Sequence, residues 1–556
     1  MEIGASDLPG EPSRSIERSA WLPFLPDWVF AVLLVGFIGA KAAYLNLPYY
    51  WDEAWVYAPA VHAMHASGPT LLPDNISTSL SRGHPLMFHF LGSLWLSVFG
   101  PSRESSHAFV LVTAAILLVF VYRWVAKLSG KWSGIAAAAV VGGNESFLAQ
   151  SGILLPESLL ALFTLLSFAA YHSDRLWLYA LASSACVLTK ESGVVIVFGL
   201  VCWHLYAMIR DAQQGLEQRR RWRWLLVLLL PVGVLSSFLF YQRVRFGWFL
   251  FPEHTQLVSL NLKDVIYKLK LCHAFLFEWN GMEAATYAFA FVFPLAWRGW
   301  NRWWLLAAGL ALVAAIKILY GRWGLPQDFT IPAVLACLFL YQVLFLEKLR
   351  MANRVLGAVV SSGLACVVAF SLFSALNFYT ERYLLCLIPL IAVVFIPALE
   401  FALRDYPKPV FAGVALCVLF PIAWSIGKQG GIKDVNLNYA DDIRARQRVI
   451  RLCESLGLKD DPVAGSFLEL YYMTDPLLGY LSGESVFTNV QSSIGAETEF
   501  AIVSSVTSAE ELLRAHRSGL RVLNVQVSGS AWCALLGRTT THPAAPPPVG
   551  SSASGR

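Results

Sequence analysis

The chain has 556 residues, of which 56% are hydrophobic and 14% are charged. Soluble domains usually carry about 25% charged residues, so this composition excludes a soluble enzyme and also a disordered or fibrous protein. The net charge of +5 is an excess that cytoplasmic Lys and Arg commonly give a membrane protein, so we expect no nucleic-acid partner. The composition therefore predicts a polytopic, all-α membrane protein.

Long apolar windows predict about 13 transmembrane helices. After a cytoplasmic N-terminal tail, 1–27, the predicted membrane domain covers 28–427. Its spans lie near 28–47, 105–125, 133–150, 157–172, 176–189, 193–209, 224–242, 277–297, 303–320, 329–346, 355–376, 383–402 and 409–427. A further apolar run, 86–99, is too short to cross a hydrocarbon core of about 30 Å upright, so we interpret it as an interfacial or membrane-entering helix.

Basic residues predict the orientation of these spans, because cytoplasmic loops collect Lys and Arg. With the N-terminus inside, the basic cluster Arg219–Arg223 also falls on the inside. The odd number of spans then sends the C-terminus to the outside. The sequence therefore predicts a multi-pass protein with a cytoplasmic N-terminus and a periplasmic or extracellular C-terminus.

The sequence changes character from about Lys428 onward, where predicted strands alternate with amphipathic helices. Helices are predicted at 442–456 and 509–516, and strands at 463–468, 500–506 and 521–527. We therefore expect a small extracytoplasmic α/β domain over 428–538, followed by a Pro- and Ser-rich disordered tail, 539–556. Cys453 and Cys533 fall within this domain, and their spacing leaves both a disulfide and two free thiols open.

The first predicted outer loop, 48–104, carries the residues that most suggest chemistry. Asp52 and Glu53 follow the first span directly and lie among aromatic residues. A simpler interpretation is an interfacial aromatic belt in which Asp52 caps a short helix. However, charge at the bilayer boundary is costly and tends to mark function. Arg82 and His84 lie in the same loop, just before Pro85, which could simply begin the next helix.

These motifs resemble those of the GT-C class of polyprenyl-phosphate-sugar glycosyltransferases. The similar branch contains protein O-mannosyltransferases, lipid A aminoarabinose transferase and Rgt-type lipopolysaccharide core glycosyltransferases. The resemblance covers roughly residues 28–400 and rests on four motifs, namely Asp52-Glu53, His84-Pro85-Leu86, Ile153-Leu154-Leu155-Pro156-Glu157 and Arg382-Tyr383. The chain departs from the family pattern in lacking a second Pro after Pro85 and in having Glu157 where Asp is usual.

The resemblance implies a polyprenyl-phosphate-linked sugar donor, surrounding membrane lipids and an acceptor in the envelope of a bacterium. The acceptor hydroxyl could belong to lipopolysaccharide, another glycolipid, another glycan or a protein. Asp52 is expected to act as general base, because partial desolvation raises the basicity of a carboxylate, with Glu53 beside it. Cations are expected around the leaving phosphate. The residues expected to bind substrate are Arg82, His84, Glu157, Lys190, Glu191, Arg243, Arg245, Arg382 and Tyr383.

Several of these residues also fit simpler roles. Lys190 and Glu191 fit a self-neutralising turn pair, Glu157 fits a helix cap, and Arg243 and Arg245 fit interfacial anchors. The outer-face His and Glu residues leave a divalent metal open as a cofactor, although no spacing among them is diagnostic.

Two rival functions also fit the sequence. One is a non-catalytic transporter or lipid flippase, whose charges would line a path through the membrane. The other is an assembly or sensor protein whose C-terminal domain is the working part. No internal repeat of the span pattern is evident, which counts modestly against a transporter built from paired halves.

Overall fold

The computed structural model describes residues 25–212, 219–292, 303–304, 345–428, 430–495 and 498–538. Four predicted features lie wholly or largely outside these residues. They are the N-terminal tail, the spans near 303–320 and 329–346, and the C-terminal tail. The end of the predicted span 277–297 also lies outside them.

The described membrane region is helical, as the composition predicts. Seven described helices are long and apolar enough to cross a membrane, namely Leu25–Ala42, Arg103–Ser129, Gly193–Arg210, Trp222–Phe246, Arg354–Leu376, Glu381–Leu403 and Lys408–Ser425. Three shorter apolar helices accompany them at Met87–Phe99, Glu157–His172 and Leu176–Thr189. The protein is therefore a multi-pass membrane protein, and the count of about 13 spans stays a prediction.

Other helical segments connect these spans. They are Glu53–Tyr57, Ala58–Ser67, Thr78–Ser81, Lys131–Gly143, Glu145–Gln150, Pro252–Thr255, Leu262–Phe277, Trp279–Gly281 and Met282–Val292. The predicted span near 383–402 begins with a 3₁₀ turn at Glu381–Cys386, which continues into the α-helix Leu387–Leu403.

Two predicted spans are interrupted in the structure. The run 133–150 breaks at Asn144, whose side chain accepts hydrogen bonds from the backbone N–H groups of Ser146 and Phe147 and so starts a new helix. The run 277–297 begins with a kink, because Asn280 and Gly281 both have positive φ angles of 57° and 74°. Local capping and turn chemistry therefore override continuous hydrophobicity at both positions.

Small residues let the helices approach closely in the membrane region. A Cβ atom added to Gly199 would lie only 2.8 Å from the Cα atom of Cys366, so helices Gly193–Ala212 and Arg354–Leu376 pack almost backbone to backbone. Close packing of this kind is a principal source of helix association in lipid.

The C-terminal domain is a five-stranded mixed sheet with the strand order β2-β1-β3-β5-β4. Its strands are β1 Val463–Ala464, β2 Val490–Gln491, β3 Phe500–Ser504, β4 Arg521–Ser528 and β5 Ala531–Gly537. Strands β1, β2 and β3 are parallel, whereas β5 is antiparallel to both β3 and β4. Its helices are Tyr439–Ser455, Phe467–Tyr472 and Ala509–Arg517, with a 3₁₀ turn at Pro476–Leu478. This arrangement confirms the predicted small α/β domain.

Two details of this domain differ from the sequence-based expectation, and a third settles a point that the sequence left open. The predicted strand 463–468 is cut short because Ser466 and Glu469 form a capping box that starts a helix. The inner strand β5 was not predicted, since its almost fully buried residues lack the polar alternation of a half-exposed strand. Cys453 and Cys533 are both buried free thiols, so no disulfide joins them.

Candidate active site

A cavity of about 540 Å³ lies where the predicted loop 48–104 meets the late membrane helices and the start of the C-terminal domain. Its wall includes Asp52, Arg82, His84, Lys190, Glu191, Arg382 and Tyr383, seven of the residues singled out in the sequence. These residues are distant in sequence and belong to four separate segments of the chain. The fold therefore gathers most of the candidate residues around one space.

Asp52 lies at the start of the π-helical turn Glu53–Tyr57, and its side chain makes no capping hydrogen bond there. Its Oδ1 accepts a hydrogen bond of 2.9 Å from Trp55 Nε1, and its Oδ2 accepts one from Arg382 Nη2. The simpler interpretation, in which the Asp52 side chain caps a helix, is therefore wrong. Its carboxylate instead faces the cavity wall, where it is paired with a cation.

Arg382 lies in the 3₁₀ turn Glu381–Cys386, and its guanidinium is surrounded by carboxylates. Besides Asp52, it binds Asp434 Oδ2 at 2.6 Å through Nη1, and its Nε lies 3.7 Å from Glu157 Oε1. The Arg382 side chain is buried, so this pairing takes place away from bulk water. A guanidinium suits such a site because its donors form a rigid planar fork.

Lys190 and Glu191 do not neutralise each other, contrary to the turn-pair interpretation. Lys190 Nζ donates a 2.9 Å hydrogen bond to Glu157 Oε1 and lies 3.6 Å from the centre of the Tyr383 ring. Glu191 instead pairs with His84 Nδ1 at 2.9 Å. Each residue of the turn therefore binds a different candidate motif, and the turn links those motifs across the cavity.

The ionisation of these groups follows from burial and charge together. Burial acts to raise the pKa of Asp52, but the Arg382 guanidinium and the Trp55 hydrogen bond outweigh it and hold the pKa below its usual range. The expectation of a raised basicity from desolvation is therefore wrong for the resting site. Burial raises the pKa of Asp434, and its contact with Arg382 only partly opposes this. Burial acts to lower the pKa of Lys190, but Glu157 outweighs it and raises the pKa.

Glu53 is buried behind the cavity wall and has its own set of partners. Its carboxylate accepts hydrogen bonds from the backbone N–H groups of Tyr50 and Leu154 and from His107 Nε2 at 2.8 Å. The other ring nitrogen of His107 lies 2.6 Å from the carbonyl oxygen of Leu45. Glu53 therefore ties the Asp52 turn to neighbouring helices, a geometry that favours a positioning role over contact with substrate.

The remaining basic candidates lie at different distances from this centre. Arg82 lines the cavity, packs over the Trp55 ring and pairs with Glu253 at 2.5 Å. Arg243 and Arg245 lie outside the cavity wall, exposed beside Phe249 and Asp74 respectively. The second pair therefore fits an interfacial anchor better than a direct ligand of the reacting groups.

Three residues that line the cavity could hold a metal ion. One ligand atom each from His84, Glu191 and His254 lies within 4.8 Å of the other two. Burial lowers the pKa of His254 to about 4, which keeps its imidazole neutral and able to bind a metal. Two imidazoles and one carboxylate suit Zn²⁺ or a similar divalent ion. The residue types therefore fit the cofactor that the sequence left open.

Lys433 and Asp434 also line the cavity, although neither stood out in the sequence. Lys433 Nζ donates to Glu381 Oε1 at 2.6 Å, next to the Asp434 contact with Arg382. Both residues follow the last predicted span in a polar stretch that matches no recognised motif. Their approach to Arg382 depends on the folding of the C-terminal segment, which no local signal could have revealed.

Comparison with known proteins gives one family match. Residues 49–246 match the family model described as Dolichyl-phosphate-mannose-protein mannosyltransferase, and this segment contains Asp52, His84, Glu157 and Lys190. No curated protein matches the chain.

Solved structures give weak overall similarity. ArnT from Cupriavidus metallidurans in the apo state has a TM-score of 0.38 and 14% identity, covering 92% of this chain and 98% of that chain. The same protein bound to undecaprenyl phosphate has a TM-score of 0.38 and 15% identity, with the same two coverages of 92% and 98%. The oligosaccharyltransferase AglB from Archaeoglobus fulgidus, in complex with an inhibitory peptide and a dolichol-phosphate, has a TM-score of 0.41 and 12% identity, covering 86% of this chain and 70% of that chain.

The family match does not depend on those structures. Its residues, 49–246, include three of the four motifs on which the resemblance rests. Asp52 and His84 line the cavity, and Glu157 binds Lys190 in its wall. The fourth motif, Arg382-Tyr383, lies beyond the matched residues but meets Asp52 in the same site. Residues 49–246 are therefore similar to the family described as Dolichyl-phosphate-mannose-protein mannosyltransferase, and the motifs of that segment meet in one site.

Proposed function

We propose that this protein transfers a sugar from a polyprenyl-phosphate donor to a hydroxyl of a cell-envelope acceptor, at the outer face of a bacterial inner membrane. The observation that carries the proposal is the pairing of Asp52 with Arg382 in the wall of a cavity of about 540 Å³. The description of the matched family names dolichyl-phosphate mannose and a protein. We carry over the lipid-phosphate donor as a class and leave the sugar and acceptor open.

In the proposed reaction, the acceptor oxygen attacks the anomeric carbon of the donor sugar. The bond between that carbon and the phosphate oxygen breaks, and its electron pair leaves with the lipid phosphate. The acceptor proton passes to Asp52, which is ionised at neutral pH because Arg382 holds its pKa below the usual range. A positioned carboxylate can contribute roughly 10²–10⁴-fold to such a step.

Arg382 supports a second part of this chemistry. Its guanidinium already binds two cavity-lining carboxylates, and an incoming phosphate would compete for the same donors. When the phosphate takes part of the guanidinium's charge, Asp52 loses stabilisation of its ionised form and becomes a stronger base. Donor binding would thus activate the general base at the moment when it is needed.

Lys190 and Tyr383 are proposed to lie beside the leaving phosphate. Lys190 is buried, positively charged and fixed by Glu157, so it can stabilise developing negative charge without reorganising. The aromatic face of Tyr383 lies against the same ammonium group at 3.6 Å. Glu157 keeps the carboxylate chemistry of the usual Asp, which supports the same role despite the longer side chain.

Three further candidates that line the cavity are proposed to bind substrate. His84 and Glu191 form one hydrogen-bonded pair, and Arg82 lies nearby against Trp55. These groups can bind sugar hydroxyls or an acceptor. Arg243 and Arg245 are proposed to contact lipid headgroups at the membrane surface instead.

The test compares envelope glycolipids and glycoproteins by mass spectrometry in cells with and without this protein. We expect a mass difference of one sugar, which would identify both the donor sugar and the acceptor. Asp52→Asn should abolish that difference, whereas Asp460→Asn, at an exposed position of the C-terminal domain, should preserve it. Identical envelope molecules in all strains would refute the proposed transfer.

A further inference from the structure

We propose that the C-terminal domain, residues 428–538, acts as a positioning element for Asp52 through Tyr472 and Asp434. This inference rests on the proposed function, because it gives the domain a part in the same reaction. Two separate contacts carry it. One reaches the backbone just before Asp52, and the other reaches the cation that binds the Asp52 carboxylate.

The first contact holds an unusual backbone conformation. Trp51 has a φ angle of 51°, in the left-handed region that bulky side chains seldom adopt. Its N–H donates a 3.2 Å hydrogen bond to the Tyr472 hydroxyl of the C-terminal domain. Strained backbone of this kind persists only where surrounding structure enforces it, and it clusters at functional sites. Because Asp52 is the next residue, this conformation sets the direction in which its side chain leaves the chain.

The residues around Tyr472 strengthen the same attachment. Tyr472 is completely buried and stacks on Tyr480, with ring centres 4.0 Å apart. The Tyr480 hydroxyl donates to the carbonyl oxygen of Tyr49 at 3.1 Å, and the Tyr49 N–H donates to the carbonyl oxygen of Leu478 at 3.0 Å. The backbone of residues 49–51 is therefore bonded to the C-terminal domain at three successive points.

The second contact acts through Arg382. Asp434 binds Nη1 of the same guanidinium whose Nη2 binds Asp52. The Asp434 backbone is itself fixed, because its carbonyl oxygen accepts a 2.7 Å hydrogen bond from Gln150 Nε2. With Asp434 in place, Arg382 cannot rotate about its long side chain without losing a buried ion pair. The start of the C-terminal domain thus orients the partner of Asp52.

Packing alone would not require these polar contacts. The aromatic rings of Tyr49, Tyr472 and Tyr480 already share one buried apolar cluster, which would join the domain to the first outer loop without any hydroxyl group. A purely structural attachment therefore predicts that Tyr472→Phe is tolerated, since the ring and its stacking are retained. A positioning role predicts a loss of activity from the removal of one oxygen atom.

The experiment uses the full-length protein, and Tyr471→Phe is the matched control at the adjacent, half-buried tyrosine. Hydrogen exchange, followed by mass spectrometry of peptides that cover 49–55, reports the Trp51 amide in detergent-purified protein. Envelope product formation is measured in cells that express each variant at equal level. For Tyr472→Phe we expect about tenfold faster exchange at Trp51 and about tenfold less product, as the loss of one buried hydrogen bond implies. Tyr471→Phe should change neither quantity.

Variants of Asp434 test the second contact with a conservative rescue. Asp434→Ala should reduce product formation at least as strongly as Tyr472→Phe, and Asp434→Glu should restore part of it because the carboxylate is kept. The two contacts act on different atoms, so the effects of Tyr472→Phe and Asp434→Ala should multiply in the double variant. Equal product from Tyr472→Phe, Asp434→Ala and the wild-type protein would overturn the inference.

The exchange measurement separates this inference from the proposed function. A wild-type protein that forms no envelope product would refute the glycosyl transfer, and the exchange rates would still decide whether the domain holds Trp51. Unchanged exchange in Tyr472→Phe would overturn the Trp51 contact. Faster exchange with full product formation would make the contact structural and overturn its role in positioning Asp52.

Discussion

Arg382 donates a hydrogen bond to Asp52, a carboxylate that lies 330 positions earlier in the chain. Arg382 lies at the start of the late span Glu381–Leu403, whereas Asp52 lies shortly after the first span, Leu25–Ala42. The pair therefore joins the early and late parts of the membrane region. This contact favours the ionised form of Asp52 and brings a cation to the place where the lipid phosphate is proposed to bind. It therefore makes several substitutions informative.

Replacing the proposed general base should remove activity without unfolding the protein. Asp52→Asn keeps the size of the side chain but cannot accept the acceptor proton, so we expect product formation to fall by roughly 10²–10⁴-fold. Mass spectrometry of the envelope product measures the fall, and thermal unfolding in detergent checks the fold. Full product formation by this variant would exclude Asp52 as the base.

Replacing its cationic partner should affect activity through geometry as well as charge. Arg382→Lys keeps one positive charge but cannot bind Asp52 and Asp434 through a planar fork, so we expect a fall in product formation of at least about tenfold. Arg243→Lys, at an exposed position outside the cavity, serves as control and should leave product formation nearly unchanged. Equal losses from both substitutions would argue against a specific role for Arg382.

The buried pair of Lys190 and Glu157 should be sensitive to the removal of either partner. Each side chain is almost completely buried, so Lys190→Met leaves Glu157 without its nearest cation and Glu157→Gln leaves Lys190 without its carboxylate partner. Breaking a buried pair in this way typically costs about 3–5 kcal/mol in the free energy of unfolding. The double variant should be less destabilised than the sum of the two single variants, and thermal unfolding in detergent measures all three. Strict additivity would contradict direct coupling.

The His84, Glu191 and His254 cluster should bind a divalent metal. We expect purified protein to take up about one equivalent of Zn²⁺, because two imidazoles and a carboxylate are a ligand set that binds this ion. His254→Ala should abolish this uptake, whereas His65→Ala, at a histidine outside the cluster, should not. Elemental analysis after dialysis provides the measurement. Equal zinc content in both variants would exclude the cluster as a metal site.

The same cluster should contribute to stability in a defined pH window when it is free of metal. Burial acts to raise the pKa of Glu191, but His84 outweighs it and lowers the pKa from 4.5 to about 2. A carboxylate whose pKa is lowered by folding stabilises the folded protein at pH values above the pKa that it has in the unfolded chain. This contribution is lost as pH falls through the pKa that it has in the folded protein. The difference in thermal midpoint between the wild-type protein and Glu191→Gln should therefore shrink as pH falls from 4.5 to 2. A difference that does not change with pH would contradict the Glu191–His84 pairing.

The sequence alone determined the helical membrane region and the motifs near the ends of its spans. Apolar runs and capping residues act over short distances, so Met87–Phe99, Leu176–Thr189 and the small α/β domain could be predicted from local patterns. The same is true of the positions of Asp52, His84 and Arg382 relative to the predicted spans. Local rules failed where turn chemistry interrupted a hydrophobic run, as at Asn144 and Asn280. They also failed where a capping box shortened the strand 463–468 and at the buried strand β5.

The tertiary structure decided which of these residues meet. Lys190 binds Glu157 and not the adjacent Glu191, Glu53 turns away from the cavity toward His107, and Asp434 reaches Arg382 from the C-terminal segment. None of these partners could be read from spacing, because each depends on how helices and domains pack over long sequence separations. Buried charges must find partners within the packed interior, and only packing determines which partners are within reach.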